Sequence, residues 1–110
     1  MQDAAHLMEL QAMEAQFRAM VRRWCLTSDE EIALLGKDGP KGAEESKRLL
    51  LEFDRSMRGL FGEEGVRCWL RDRAPTGLSP IGCLMLGREQ QKAFLAAARQ
   101  RHYEVLGYHA

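Results

Sequence analysis

The sequence predicts an all-α fold, a compact bundle of about five to six helices, on three observations. Apolar residues recur every three or four positions through long segments, which places them on one face of a helix. No run of four or more residues alternates in the β sense, and Val, Ile and Thr are scarce beside Leu, Ala, Glu, Arg and Met. Residues that start and stop helices fall between the periodic segments.

Each element follows from that pattern. Residues 4–24 carry an apolar stripe of Leu7, Leu10, Met13, Phe17, Met20 or Val21, and Trp24, with Asp3 as the expected N-cap. A second helix starts at Thr27-Ser28, where Ser28 with Glu31 fits a capping box and three acids suit the positive end of the helix dipole. It stops at Gly36, and Lys37–Gly42 reads as a loop. The third helix, Ala43–Phe61, turns Leu49, Leu50, Phe53, Met57, Leu60 and Phe61 to one side and ends at Gly62. A short fourth, Glu63–Arg71, points Val66, Trp69 and Leu70 inward. Ser79 caps a fifth that opens on Pro80, a position that needs no backbone N–H, and closes at Gly87. The last helix, from Glu89 to about Leu106, carries Phe94, Leu95, Ala98, His102, Val105 and Leu106.

Composition narrows the function. A chain of 110 residues makes one domain, or a domain with a short appendage, and supports one modest core. Sixteen basic and sixteen acidic residues cancel, whereas a domain built to neutralise phosphates usually has a basic excess. No apolar run is long enough to span a bilayer. The opening MQDAAHLMEL has no basic start, apolar middle or small-residue cleavage site, so no secretory leader is expected. Cys25, Cys68 and Cys83 form no CxxC pair, which points to a reducing, cytoplasmic setting and to three small buried hydrophobes.

The residues offer no chemistry. His6, His102 and His109 lack the spacing of a metal cluster, so neither metal nor cofactor is expected. Ser56, Ser79 and Cys68 each read as a helix-face, cap or core residue rather than a nucleophile. The paired carboxylates Glu30/Glu31, Glu44/Glu45 and Glu63/Glu64 occupy first turns, where they complement the dipole. Arg18, Arg22 and Arg23 are the candidate nucleic-acid contacts, although one amphipathic helix with a basic outer face is more often a solvated face. The chain is not expected to be an enzyme.

One stretch is distinctive: Trp69-Leu70-Arg71, a loop from Asp72 to Ser79, and then Pro80-Ile81-Gly82-Cys83-Leu84-Met85-Leu86. With Phe61-Gly62-Glu63 before it and an amphipathic Gln90–Leu106 after it, this order resembles the C-terminal toxin-binding domain of the Xre/MbcA/ParS antitoxins. RRWCLTSDEEIALLG resembles that family's opening helix and the first helix of its helix-turn-helix region. The resemblance divides the chain into 1–41, a shortened helix-turn-helix-like part, and 42–110, the toxin-binding part. Two departures stand out. Lys37–Gly42 is too short for the recognition helix that complete members place there, so specific operator binding is not expected. The 72–79 loop also lacks the paired glycines common in the family.

The resemblance implies an antitoxin of a type II toxin–antitoxin system. Such a protein, commonly a homodimer, neutralises an NAD-consuming RES-domain toxin by covering or entering its active-site cleft. Arg71, Arg99, Tyr103 and Leu106 are the candidate partner contacts. The tail Gly107-Tyr108-His109-Ala110 would be the plug, with Tyr108, His109 and Ala110 meeting the partner, or else simply a frayed terminus. Trp69, Leu70, Pro80 and Leu84 mark the fold. Arg71 has a second reading, in which it bonds helix-end carbonyls and holds the loop. A transcriptional autoregulator, and a helical dimerisation or scaffold module, are the alternatives to the antitoxin.

Overall fold

A computed structural model describes residues 4–73 and 77–106, from 102 onward in backbone alone. The described residues form an all-α bundle of five helices: α1 Ala4–Trp24, α2 Ser28–Leu35, α3 Gly39–Leu70, α4 Pro80–Leu84 and α5 Arg88–Leu106. No strand occurs among the described residues. None of these helices is long and apolar enough to cross a membrane. Asp3 lies outside the described residues.

α3 is the spine. It packs on α1 and on α5, while α2 rests on α3, and α4 on α5 and α3. One core runs through all five helices, from Phe17, Met20 and Trp24 of α1 through Leu34 to Leu50, Phe53 and Met57 of α3. It continues into Val66, Leu70, Ile81, Leu84, Leu95 and Ala98. A boundary at 41/42 would fall inside the first turn of α3, and residues on both sides of it share this core.

The ends of the helices show why the chain turns where it does. α1 stops in a Schellman turn: Leu26 N donates to Val21 O and Cys25 N to Arg22 O, both at 3.1 Å. Cys25 takes the left-handed position of that turn, with φ 56°, where glycine is the usual residue. The cap of α2 sits one residue earlier than the sequence suggested. Thr27, not Ser28, is extended and accepts from Glu30 N, while Glu30 returns a carboxylate oxygen to Thr27 N at 2.9 Å. Both pairs satisfy the Ser/Thr-x-x-Glu pattern. Thr27 wins because the Schellman turn delivers it in the β region, and Glu31 is left to pair with Arg18.

α3 likewise starts at Gly39 rather than Ala43, so the expected Lys37–Gly42 loop shrinks to Gly36–Asp38. Pro40 lies in its first turn, where a missing N–H is harmless. The two expected helices on either side of Gly62 form a single span with a break at that glycine, φ 76° and ψ 169°. At α4, Ser79 accepts from Gly82 N at 3.2 Å, and Pro80 follows as the first helical residue.

Two buried polar groups tie helices together. The Asp54 carboxylate of α3 is 1% exposed and accepts from Trp24 Nε1 (2.8 Å), an Arg23 Nη (2.5 Å) and Arg58 Nε (2.9 Å). Burying a carboxylate is costly unless it is paired and hydrogen-bonded, and two arginines and an indole N–H meet this one. Gln91 of α5, equally buried, donates through Nε2 to Leu34 O (2.8 Å) and Leu84 O (3.1 Å).

The core departs from expectation at three kinds of residue. Cys25 and Cys68 are exposed and Cys83 is half-buried, so the first two are not core hydrophobes. Cys25 serves the turn, and Cys68 lies on the solvent side of the second half of α3. Phe61 and Trp69, expected inside, are 50% and 36% exposed. Leu7 on α1 is also exposed, because the first turns of α1 contribute no buried residue.

Candidate functional site

The partly exposed aromatic residues come together. Phe53, Met57 and Phe61 from the first half of α3, Trp69 from its second half, and Ala93, Phe94, Ala97, Ala98, Gln100 and Arg101 of α5 line an open groove of about 610 Å³. The break at Gly62 redirects the chain between Phe61 and Trp69. Phe53, Met57 and Ala98, each nearly inaccessible, form the floor. The rings of Phe53, Trp69 and Phe94 contact one another at centroid distances of 6.1–6.2 Å. Phe53 in turn meets Trp24 edge-on at 6.3 Å, which braces the floor against α1. Arg101 is the only charged residue in the lining among the described residues.

Such a surface stands out on a chain in which charged residues make up 29% of the sequence. Contiguous exposed aromatic and aliphatic surface marks contact sites, and tryptophan, phenylalanine and arginine are enriched in them. The sequence carried a faint signal for it. Phe94 is flanked by Ala93 and followed by Ala96-Ala97-Ala98, so no large neighbour on α5 covers the ring.

The residues singled out from sequence are dispersed. Leu70 and Leu84 belong to the core, Pro80 begins α4, and Trp69 forms one wall of the groove. Arg71 caps the end of α3, and its guanidinium turns back to the α1–α2 junction. There Nη2 donates to Cys25 O (2.9 Å), Trp24 O (3.3 Å) and Glu30 Oε1 (2.9 Å), and Nη1 to Glu30 Oε2. That bonding holds the Glu30 carboxyl below the usual carboxylate range, and the same carboxylate raises Arg71 further. Arg99 donates to Glu52 of α3. Tyr103 and Leu106 fall in the last turns of α5, with their side chains outside the described residues, as are Tyr108, His109 and Ala110 altogether.

The arginines of α1 do not form a basic patch. Arg18 pairs with Glu14 and Glu31 and is raised mainly by its bond to Glu31, while Arg23 is drawn into the Asp54 cluster. Arg22 is exposed and makes no ion pair among the described residues. Among those residues, no group of three or more His, Cys, Asp or Glu side chains is placed to hold a metal. The chain matches no protein-family model, no curated protein and no solved structure.

Proposed function

We propose that this chain is a non-catalytic binding protein that grips its partner through the α3–α5 groove. We propose further that the partner is the RES-type, NAD-consuming toxin of a type II toxin–antitoxin pair. The observation that carries the first step is the exposure of Phe61 and Trp69 beside Phe94 in one open apolar groove. Interface energy concentrates in aromatic anchors of this kind. The second step draws on the order Trp69-Leu70-Arg71, loop, Pro80 and Leu-rich helix. In this fold the three motif residues divide the labour: Trp69 walls the groove, Leu70 enters the core, and Arg71 ties α3 to the α1–α2 junction.

Co-expression with the product of the adjacent gene tests both steps. A stable complex that suppresses NAD loss is expected, and Phe61→Asp should abolish it while leaving the helical circular dichroism intact. A neighbour that is not a RES-type protein, or that forms no complex, would remove the toxin reading. A complex indifferent to Phe61→Asp and Trp69→Ala would remove the groove. A chain ending at Leu106 separately tests the tail as plug; undiminished neutralisation would dismiss it.

A further inference from the structure

We infer that the groove receives a single amphipathic α-helix of the partner, about two turns deep, whose carboxylate side chain meets Arg101. This rests on the reading of the groove as the partner site and adds the shape and charge of what fills it.

Length supports a helix. From Ala93 to Arg101 the α5 wall covers eight residue steps, or ~12 Å at the helical rise, and anchors at i and i+7 of a partner helix lie ~10.5 Å apart. The cross-section agrees. On the α5 side Ala93 and Ala97 make a low wall that lets another backbone approach, while Phe61 and Trp69 make a high one across from it. Strand addition has nothing to pair with, because both elements that line the groove are helices with internally bonded backbones. Ten residues line the groove, fewer than the roughly 20–30 per side of a stable protein–protein interface, so its footprint suits one inserted segment rather than a whole globular face. The charge is specific: among the described residues the lining contains no acid, and Arg101 stands at the C-terminal end of its α5 side, so the complement is apolar with a carboxylate at that end.

The experiment pans the full-length chain with a phage library of peptides about four helical turns long, half of them helix-scaffolded and half unstructured. Phe61→Asp and Trp69→Ala serve as counter-selections, and circular dichroism establishes that both variants are folded. Enriched peptides should be helical, with large apolar residues at i, i+4 and i+7 and an acid at one end, and should bind wild type at least about tenfold more tightly than Phe61→Asp. Arg101→Glu should invert the preference from acidic to basic. Enrichment of proline-rich or other non-helical peptides overturns the inference. So does a charge preference that ignores Arg101→Glu, or an absence of any enrichment lost with both groove variants. The toxin takes no part in this experiment. Helices that bind here while the toxin complex fails would uphold the groove and dismiss the toxin; a toxin complex that forms while panning yields nothing would do the reverse.

Discussion

Replacing Arg71 separates an internal strap from a partner contact. Its guanidinium spans three chain segments: the end of α3, the last carbonyls of α1, and the capping residue Glu30 of α2. The side chain is 39% exposed, so its ion pair with Glu30 contributes about 0.5–1 kcal/mol. Donation to Trp24 O and Cys25 O, at the negative end of α1, adds about 1–1.5 kcal/mol. Arg71→Ala should therefore destabilise the fold by about 2 kcal/mol, roughly a 10 °C fall in Tm for a domain of this size. Glu30→Gln keeps a capping-box acceptor for Thr27 N and removes only the charge, so about 0.5–1 kcal/mol is expected.

The pH dependence gives a second reading of the same contact. Because Arg71 lowers the Glu30 pKa, Glu30 contributes fully above its unfolded value of 4.5, and the contribution fades as pH falls through the lower folded value. Arg71, raised further by its bond to Glu30, stays charged throughout. Urea unfolding at pH 7 and near pH 3 should thus show the gap between wild type and Arg71→Ala narrowing in acid. A gap under ~0.5 kcal/mol at neutral pH, or one unchanged by acid, would refute the strap. Unaltered stability with lost partner binding would place Arg71 on the interface instead.

Three further substitutions probe the scaffold. Cys25→Gly relieves a left-handed backbone at φ 56° and should stabilise by about 0.5 kcal/mol, read as a rise in urea midpoint, the strain relieved being partly offset by added freedom in the unfolded chain. Gly42→Ala would set a Cβ 2.6 Å from Asp38 Cβ and 2.7 Å from Arg88 Nη1; a thermal melt should show a loss of about 1–3 kcal/mol. Asp54→Ala leaves Arg23 and the Trp24 indole without their shared acceptor, and calorimetry should register a loss of about 3 kcal/mol or more.

The helices were legible because a periodic apolar stripe and a terminating glycine are local signals, as at Gly36 and Gly62. The errors arose where two local rules compete. Thr27 and Ser28 both satisfy the capping pattern, and only the geometry of the preceding turn decides between them. Gly39-Pro40 reads as a loop, yet it suits a helix start as well. Exposure was the least legible property. The face that holds Phe53 and Met57 against the core also carries Phe61 and, beyond the break, Trp69, and periodicity cannot say how far neighbouring helices cover that face. Arg18 and Arg23 each have a partner 13 or 31 residues away in sequence, and Arg99 one 47 away, so two of the three α1 arginines that look basic in one dimension are paired in three.

The amide of Gln91 has a wider effect than its two bonds suggest. Helices of eight and five residues, the lengths of α2 and α4, are below what persists alone in water. Each surrenders a carbonyl near its end to this one side chain, so undocking α5 strips both of support in the same event. The three segments are therefore expected to open as one unit, which native-state hydrogen exchange would read as one shared free energy for their slowest amides rather than a graded series.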